Sequence, residues 1–96
     1  MKYYVIANPH ARNGRGQQKL RELLAQMEQR GLPHTVVTCN SLDHATALSR
    51  AANLSGAGAV VAAGGDGTIN RVLNGFFDGD GRRLSQARLG VLHVGT

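Results

Sequence analysis

Four short apolar runs, Lys2–Ala7, His34–Thr38, Ala59–Ala63 and Leu89–Val94, alternate along the chain with segments whose apolar residues return at helical spacing. In Gln17–Arg30, Leu20, Leu23, Leu24 and Met27 recur at i, i+3, i+4 and i+7, and Gly31 stands where a helix-ending glycine belongs. Ser41 is placed to cap a second helix that runs through Leu42, Ala45, Leu48, Ala52 and Leu54 and stops at Gly56. Ile69, Val72, Leu73 and Phe76 repeat the spacing a third time, before the turn-rich loop Asp78–Arg83. Asn8-Pro9 ends the first strand, because proline cannot donate to a sheet ladder. Each helix has one apolar face to bury, and strands separated by helices of this length pair in parallel. The expected fold is therefore an α/β, Rossmann-like three-layer domain with a parallel sheet. The chain's 96 residues suffice for one such domain.

Ligands of such sheets bind beyond the carboxyl ends of the strands, here the loops Asn8–Gly16, Thr38–Ser41, Gly64–Thr68 and Gly95–Thr96. The third of these reads Gly-Gly-Asp-Gly-Thr, richer in glycine than a strand-to-helix turn needs. Gly64, Gly65 and Gly67 permit positive φ and close backbone approach, and the helix that follows offers unsatisfied N–H donors and a positive dipole end. Such a loop suits phosphate. Thr68 is placed to cap the helix, while Asp66 either coordinates Mg²⁺ beside phosphate oxygens or holds the loop through its own amides. The loop is not a Walker A sequence, since no Gly-Lys-Ser/Thr occurs, and Gly14-Arg-Gly16 is not a dinucleotide fingerprint.

Charge narrows the partner without choosing it. The chain carries +5, of which residues 1–30 hold +4 and residues 31–96 hold +1. A basic amino-terminal third is compatible with nucleic acid, anionic lipid headgroups or a polyphosphate. Two Tyr, two Phe, no Trp and no recognisable nucleic-acid module argue against nucleic acid. The single Cys39 has no disulfide partner, and the four histidines show no paired spacing, so the expected setting is reducing and cytoplasmic. His93 lies in a strand pattern and is expected to be packed and hydrogen-bonded. Asn74-Gly75 is expected to continue the third helix with a small residue at a close packing point.

The motifs Asn8-Pro9 with nearby glycines, Gly64-Gly-Asp-Gly-Thr-Ile-Asn-Arg-Val-Leu-Asn-Gly75 and Leu89-Gly-Val-Leu-His-Val-Gly-Thr96 occur in this order. With them the chain resembles the diacylglycerol kinase catalytic domain of the soluble lipid kinases, bacterial diacylglycerol kinase-like and sphingosine kinase-like proteins included. The fold is similar to the N-terminal domain of NAD kinase and diacylglycerol kinase-like proteins. The resemblance implies an ATP-dependent kinase, with Mg²⁺, that phosphorylates a lipid hydroxyl such as that of diacylglycerol. It also implies ATP on this α/β domain and the lipid, with peripheral membrane contact, on a β-rich domain that follows. Residues 1–96 would then be the nucleotide-binding part of a longer protein, inactive alone, with the general base elsewhere.

Carried onto this sequence, the nucleotide site would be lined by Asn8, Pro9, His10, Ala11, Arg12, Thr38, Gly64, Gly65, Asp66, Gly67, Thr68, Ile69, Asn70, Arg71 and Thr96. Three positions depart from the family's pattern: Arg12 stands for a glycine, Arg71 for an acidic residue and His93 for a proline. Gly14 is placed to take over the missing glycine's role. Arg12 and Arg15 either pair phosphate oxygens or stand as solvated loop charges, and Arg71 reads as a helix-surface charge. NAD kinases share a Gly-Gly-Asp-Gly loop, and a non-catalytic basic binding module is the reading from another class. The Thr-Ile-Asn-x-Val-x-Asn-Gly continuation and the closing Gly-Thr favour the lipid group. Homodimerisation through an exposed sheet edge stays open.

Overall fold

The computed structural model describes residues 1–94. Its elements are β1 (Tyr3–Ala7), a 3-10 turn (Pro9–Arg12), α1 (Gly14–Gln29), β2 (His34–Thr38), α2 (Leu42–Leu54), β3 (Ala59–Gly64), α3 (Asp66–Asn74) and β4 (Arg88–His93). The four strands form one parallel sheet in the order β2-β1-β3-β4. Alternate residues of β1 point to opposite faces. Val5 and Ala7 meet Leu20 and Met27 of α1, whereas Ile6 meets Ala45 and Ala52 of α2 and Val72 of α3. The expected three layers are present. β3 is buried at all six positions, as befits a central strand covered on both sides, which is why its sequence is a continuous apolar run rather than an alternation.

Helices α1 and α2 end the same way. Gly31 (φ +64°) and Gly56 (φ +88°) take the left-handed conformation. Leu32 N–H then bonds Met27 C=O at 2.9 Å and Ala57 N–H bonds Ala52 C=O at 3.1 Å, closing two Schellman motifs. Ser41 caps α2 as its sequence predicts, its hydroxyl accepting from His44 N–H.

Several boundaries differ from the sequence reading. α1 opens at Gly14, six residues before its apolar repeat begins at Leu20, and α3 at Asp66, three before Ile69, because a polar or glycine-rich first turn carries no hydrophobic signal. α3 stops at Asn74, and Gly75 is its C-cap rather than a continuation. The close packing at Gly75 is real: a Cβ there would lie 2.5 Å from Ser49 Cβ and 2.7 Å from Thr46 O, so α2 and α3 meet at this glycine. Ser49 donates to Val72 O at 2.6 Å across the same contact. Among the described residues, no helix is long and apolar enough to cross a membrane.

Candidate phosphate-binding cleft

The strand order reverses between β1 and β3, since the chain goes from β1 outward to β2 and returns on the other side. A crevice at the carboxyl ends of the strands follows from that reversal. Register brings its walls level: Ala7 pairs with both Thr38 and Ala63, and Gly64 pairs with His93. Asn8 N–H extends the ladder to Ala63 O at 3.0 Å, and Val94 N–H does so to Gly64 O at 3.0 Å.

Asn8 joins the two loops that flank the crevice. Its Oδ1 accepts from Ala11 N–H at 2.9 Å and so caps the Pro9–Arg12 turn, while its Nδ2 donates to Thr68 Oγ1 at 3.0 Å. Thr68 is therefore not the cap of α3. That position belongs to Gly65, whose C=O accepts from Ile69 N–H at 3.0 Å, and Thr68 is buried one turn further in as an anchor for Asn8. The glycines of the loop also act differently from the expectation of positive φ, which none of the three adopts. Gly64 is required by closeness, for a Cβ would stand 2.8 Å from Asn8 Nδ2 and 2.9 Å from Thr68 Cβ. Gly65 is extended (φ −87°, ψ −172°) with open space where a side chain would be, which leaves its backbone bare toward the crevice. Gly67 faces Leu42 at ordinary contact distance.

A cleft of about 630 Å³ opens beside this junction, lined by Asn8, His10, Asn13, Gly14, Arg15, Gly16, Lys19, Gly65 and Val94. Gly14 (φ +55°) turns the chain into α1, and Gly16 admits the His10 carbonyl, which a Cβ would approach to 2.7 Å. Arg15 and Lys19 lie one helical turn apart and share the cleft-facing side of α1. No carboxylate lines this cleft; its ionisable side chains are basic. It presents backbone N–H groups, two long cations and the amino end of a helix, a combination suited to an anion.

Of the sequence-predicted site residues, Asn8, His10 and Gly65 line the cleft, and Pro9 and Ala11 form the turn behind it. Ala11, Thr68 and Ile69 turn their side chains toward the core. Arg12 points away, its Nε donating to Thr38 Oγ1 at 2.8 Å, so this pair ties the first loop to the end of β2. Arg71 pairs with Asp43 of α2 through Nη1 and Oδ1 rather than standing as a lone surface charge. Gly67 and Asn70 lie in the first turns of α3, and Thr96 falls outside the described residues. Sequence reasoning missed Lys19; its spacing of four from Arg15 on the polar side of α1 was the available signal.

Asp66 is almost fully exposed at the first position of α3. Its carboxylate lies 3.3 Å from His93 Nε2, and the His93 side chain is half exposed, not packed as its strand pattern suggested. Among the described residues no three His, Cys, Asp or Glu side chains gather as a metal site. Asp66 adjoins the cleft-lining Gly65 in sequence and is a ligand of the type Mg²⁺ takes, one or two carboxylates with the shell completed by phosphate oxygens and water. A second hollow of about 590 Å³, lined by Leu73, Phe77, Arg83 and Arg88 among others, lies at the amino ends of the strands, away from the glycine loop.

The chain is 35% identical over 92 residues to a diacylglycerol kinase of Bacillus subtilis, covering 96% of this chain and 29% of that protein. It is 29% identical over 92 residues to a diacylglycerol kinase of Staphylococcus aureus (strain MRSA252), covering 96% of this chain and 28% of that protein. The chain thus spans less than a third of the length of these relatives. The family model described as the diacylglycerol kinase catalytic domain matches residues 2–96, from the first strand through the glycine loop to the final Gly-Thr, and the chain belongs to that family.

Proposed function

We propose that this chain is the nucleotide-binding part of an ATP-dependent lipid kinase that transfers a phosphoryl group to a lipid hydroxyl such as that of diacylglycerol. The observation that supports this most is the cleft at the sheet's reversal point, lined by Arg15, Lys19 and the bare Gly65 backbone and by no carboxylate. The triphosphate would lie there, with Arg15 and Lys19 offsetting its charge. Asp66 would hold Mg²⁺, whose contribution when bound is to neutralise charge on the transferring phosphoryl group. The tie from Asn8 to Thr68 keeps the two phosphate-facing loops in fixed register, so their N–H groups need no reorganisation when the nucleotide arrives. Phosphoryl transfer further requires the acceptor hydroxyl to be held in line with the phosphate. The surface that holds the lipid, its contact with the membrane and the general base are assigned to the remainder of the longer protein, working at the cytoplasmic face. Residues 1–96 alone would bind ATP without turnover.

Competition binding tests this reading. The chain is titrated with Mg·ATP, with NAD and with a DNA oligomer at moderate salt, where purely electrostatic nucleic-acid binding fades by counterion release. Saturable binding of ATP that DNA does not displace is expected. Tight DNA binding without ATP binding would overturn the proposal in favour of a basic binding module, and a preference for NAD would redirect it toward NAD kinases.

A further inference from the structure

β4 pairs with β3 from Arg88 to His93, and among the described residues nothing pairs with its outer edge. Every second N–H and C=O of β4 therefore points outward with no strand to meet. Edge strands that stay single commonly carry a lysine, a proline or an inward-pointing charge along their length. β4 carries none: between its end residues it reads Leu89-Gly-Val-Leu92, an apolar run of the kind that marks β3 as a covered strand. The opposite edge is unlike it. β2 reads His-Thr-Val-Val-Thr, polar at three of its five positions and half-buried throughout.

The side chains around the free edge are apolar and exposed as well. Leu89 packs on the cluster that holds Val72 of α3, so Val91, two residues on, shares that face of the sheet. Val91 is 51% exposed, and Leu73 of α3, which shares a hollow with Leu89, is 39% exposed. Two of the five exposed large apolar side chains among the described residues thus flank this one edge. The ends of β4 differ in charge. Arg88, exposed, begins the strand, and at its other end the almost fully exposed Asp66 carboxylate lies beside His93.

We propose that β4 is a docking edge for a second copy of this chain, the two copies pairing their β4 strands antiparallel into one continuous sheet. Antiparallel pairing about a two-fold axis sets Arg88 of each copy at the end where the other carries His93 and Asp66. Cation then meets carboxylate twice, whereas a parallel pairing would set like ends together. Val91 and Leu73 of one copy come against those of the other beside the axis, and their apolar area leaves water. Because one edge serves both copies, the assembly closes at two. Pairing β4 of one copy with β2 of the next would instead leave a free edge at each end and grow. The pairing follows from sheet order and side chains, and stands whether or not the cleft binds ATP.

The test is the mass of the 96-residue chain by sedimentation equilibrium over a wide range of concentration, together with amide hydrogen exchange of β4. Val91→Lys and Thr35→Lys are run beside the native chain. The native chain is expected to approach twice the chain mass as concentration rises and to go no further. Val91→Lys sets an ammonium against its own copy and removes apolar area at a position that is open in the single chain. It should fold normally and raise the dimer dissociation constant by at least about tenfold. Thr35→Lys places the same charge on the β2 edge and should leave the mass unchanged. In the dimer the amides of Leu89, Gly90, Val91 and Leu92 should all exchange slowly, whereas in a lone edge strand every second one faces water. A monomer at every concentration, assemblies larger than two, a dimer that Val91→Lys leaves intact or Thr35→Lys disrupts, or fast exchange at alternate β4 amides would each overturn the proposal. If either variant fails to fold, the mass and the exchange of the native chain decide alone.

Discussion

Replacing Asn8 should damage both stability and site, because one side chain makes two unlike bonds. Its Oδ1 caps the Pro9–Arg12 turn through Ala11 N–H, and its Nδ2 reaches Thr68, a residue sixty positions away and only 3% exposed. Losing a cap of this type costs about 1 kcal/mol. Removing the partner of the buried Thr68 hydroxyl adds about 1–2 kcal/mol, since that oxygen is left without its bond and without water. Asn8→Ala should therefore cost about 2–3 kcal/mol, which for a domain of this size lowers Tm by roughly 10–20 °C. A double-mutant cycle isolates the long-range half: Asn8→Ala, Thr68→Val and the double variant are unfolded in urea, and a coupling of about 1 kcal/mol is expected between the two sites. Strict additivity would refute the idea that this bond holds the loops together, and an Asn8→Ala cost under about 0.5 kcal/mol, the usual range for a featureless surface change, would refute the cap as well.

Arg15→Ala and Lys19→Ala should each weaken ATP binding several-fold with little change in Tm, as expected for exposed cations that meet a ligand and not the core; calorimetry with thermal melts separates the two effects. Gly65→Val should fold normally, since its backbone is extended and its surroundings open, yet fill the approach to the cleft and depress ATP affinity. By contrast, Gly64→Ala drives a Cβ into Asn8 and Thr68 and should destabilise the fold by about 1–3 kcal/mol in urea titration. Burial raises the Cys39 thiol above its ordinary range, outweighing the backbone hydrogen bond that acts the other way. Its contribution to stability is accordingly complete below the ordinary thiol pKa and lost as pH rises through the raised folded value. Alkylation of Cys39 in the native chain at pH 8 should be far slower than in urea, and equal rates would contradict its burial.

The architecture was legible because each level of the sequence pointed the same way. Apolar runs marked the strands, leucine spacing marked the buried helix faces, and Gly31 and Gly56 marked two helix ends that the structure closes by the same motif. Helix starts were less legible, because Gly14–Gly16 and Asp66–Thr68 contain few apolar residues and so leave no periodic trace. At the glycine loop, the residue types were informative but the reason for them was not. Gly64 is there to admit Asn8 and Thr68, a contact over sixty residues that local sequence cannot show, and the left-handed glycine of the cleft is Gly14. The pairs Arg12–Thr38, Arg71–Asp43 and His93–Asp66 were hidden for the same reason, each joining elements that only the sheet order brings together.

Amide chemical-shift mapping of the ¹⁵N-labelled chain during titration with Mg·ATP tests the central claim most directly, because it reports where the nucleotide binds as well as whether it does. The largest shifts are expected at Gly14, Arg15, Gly16 and Lys19 on one wall and at Gly65, Asp66 and Gly67 on the other, saturating together with one affinity. Shifts concentrated instead at Leu73, Phe77, Arg88 and Leu89, at the opposite end of the sheet, or no shifts at millimolar ATP, would contradict the assignment of the cleft as the triphosphate site.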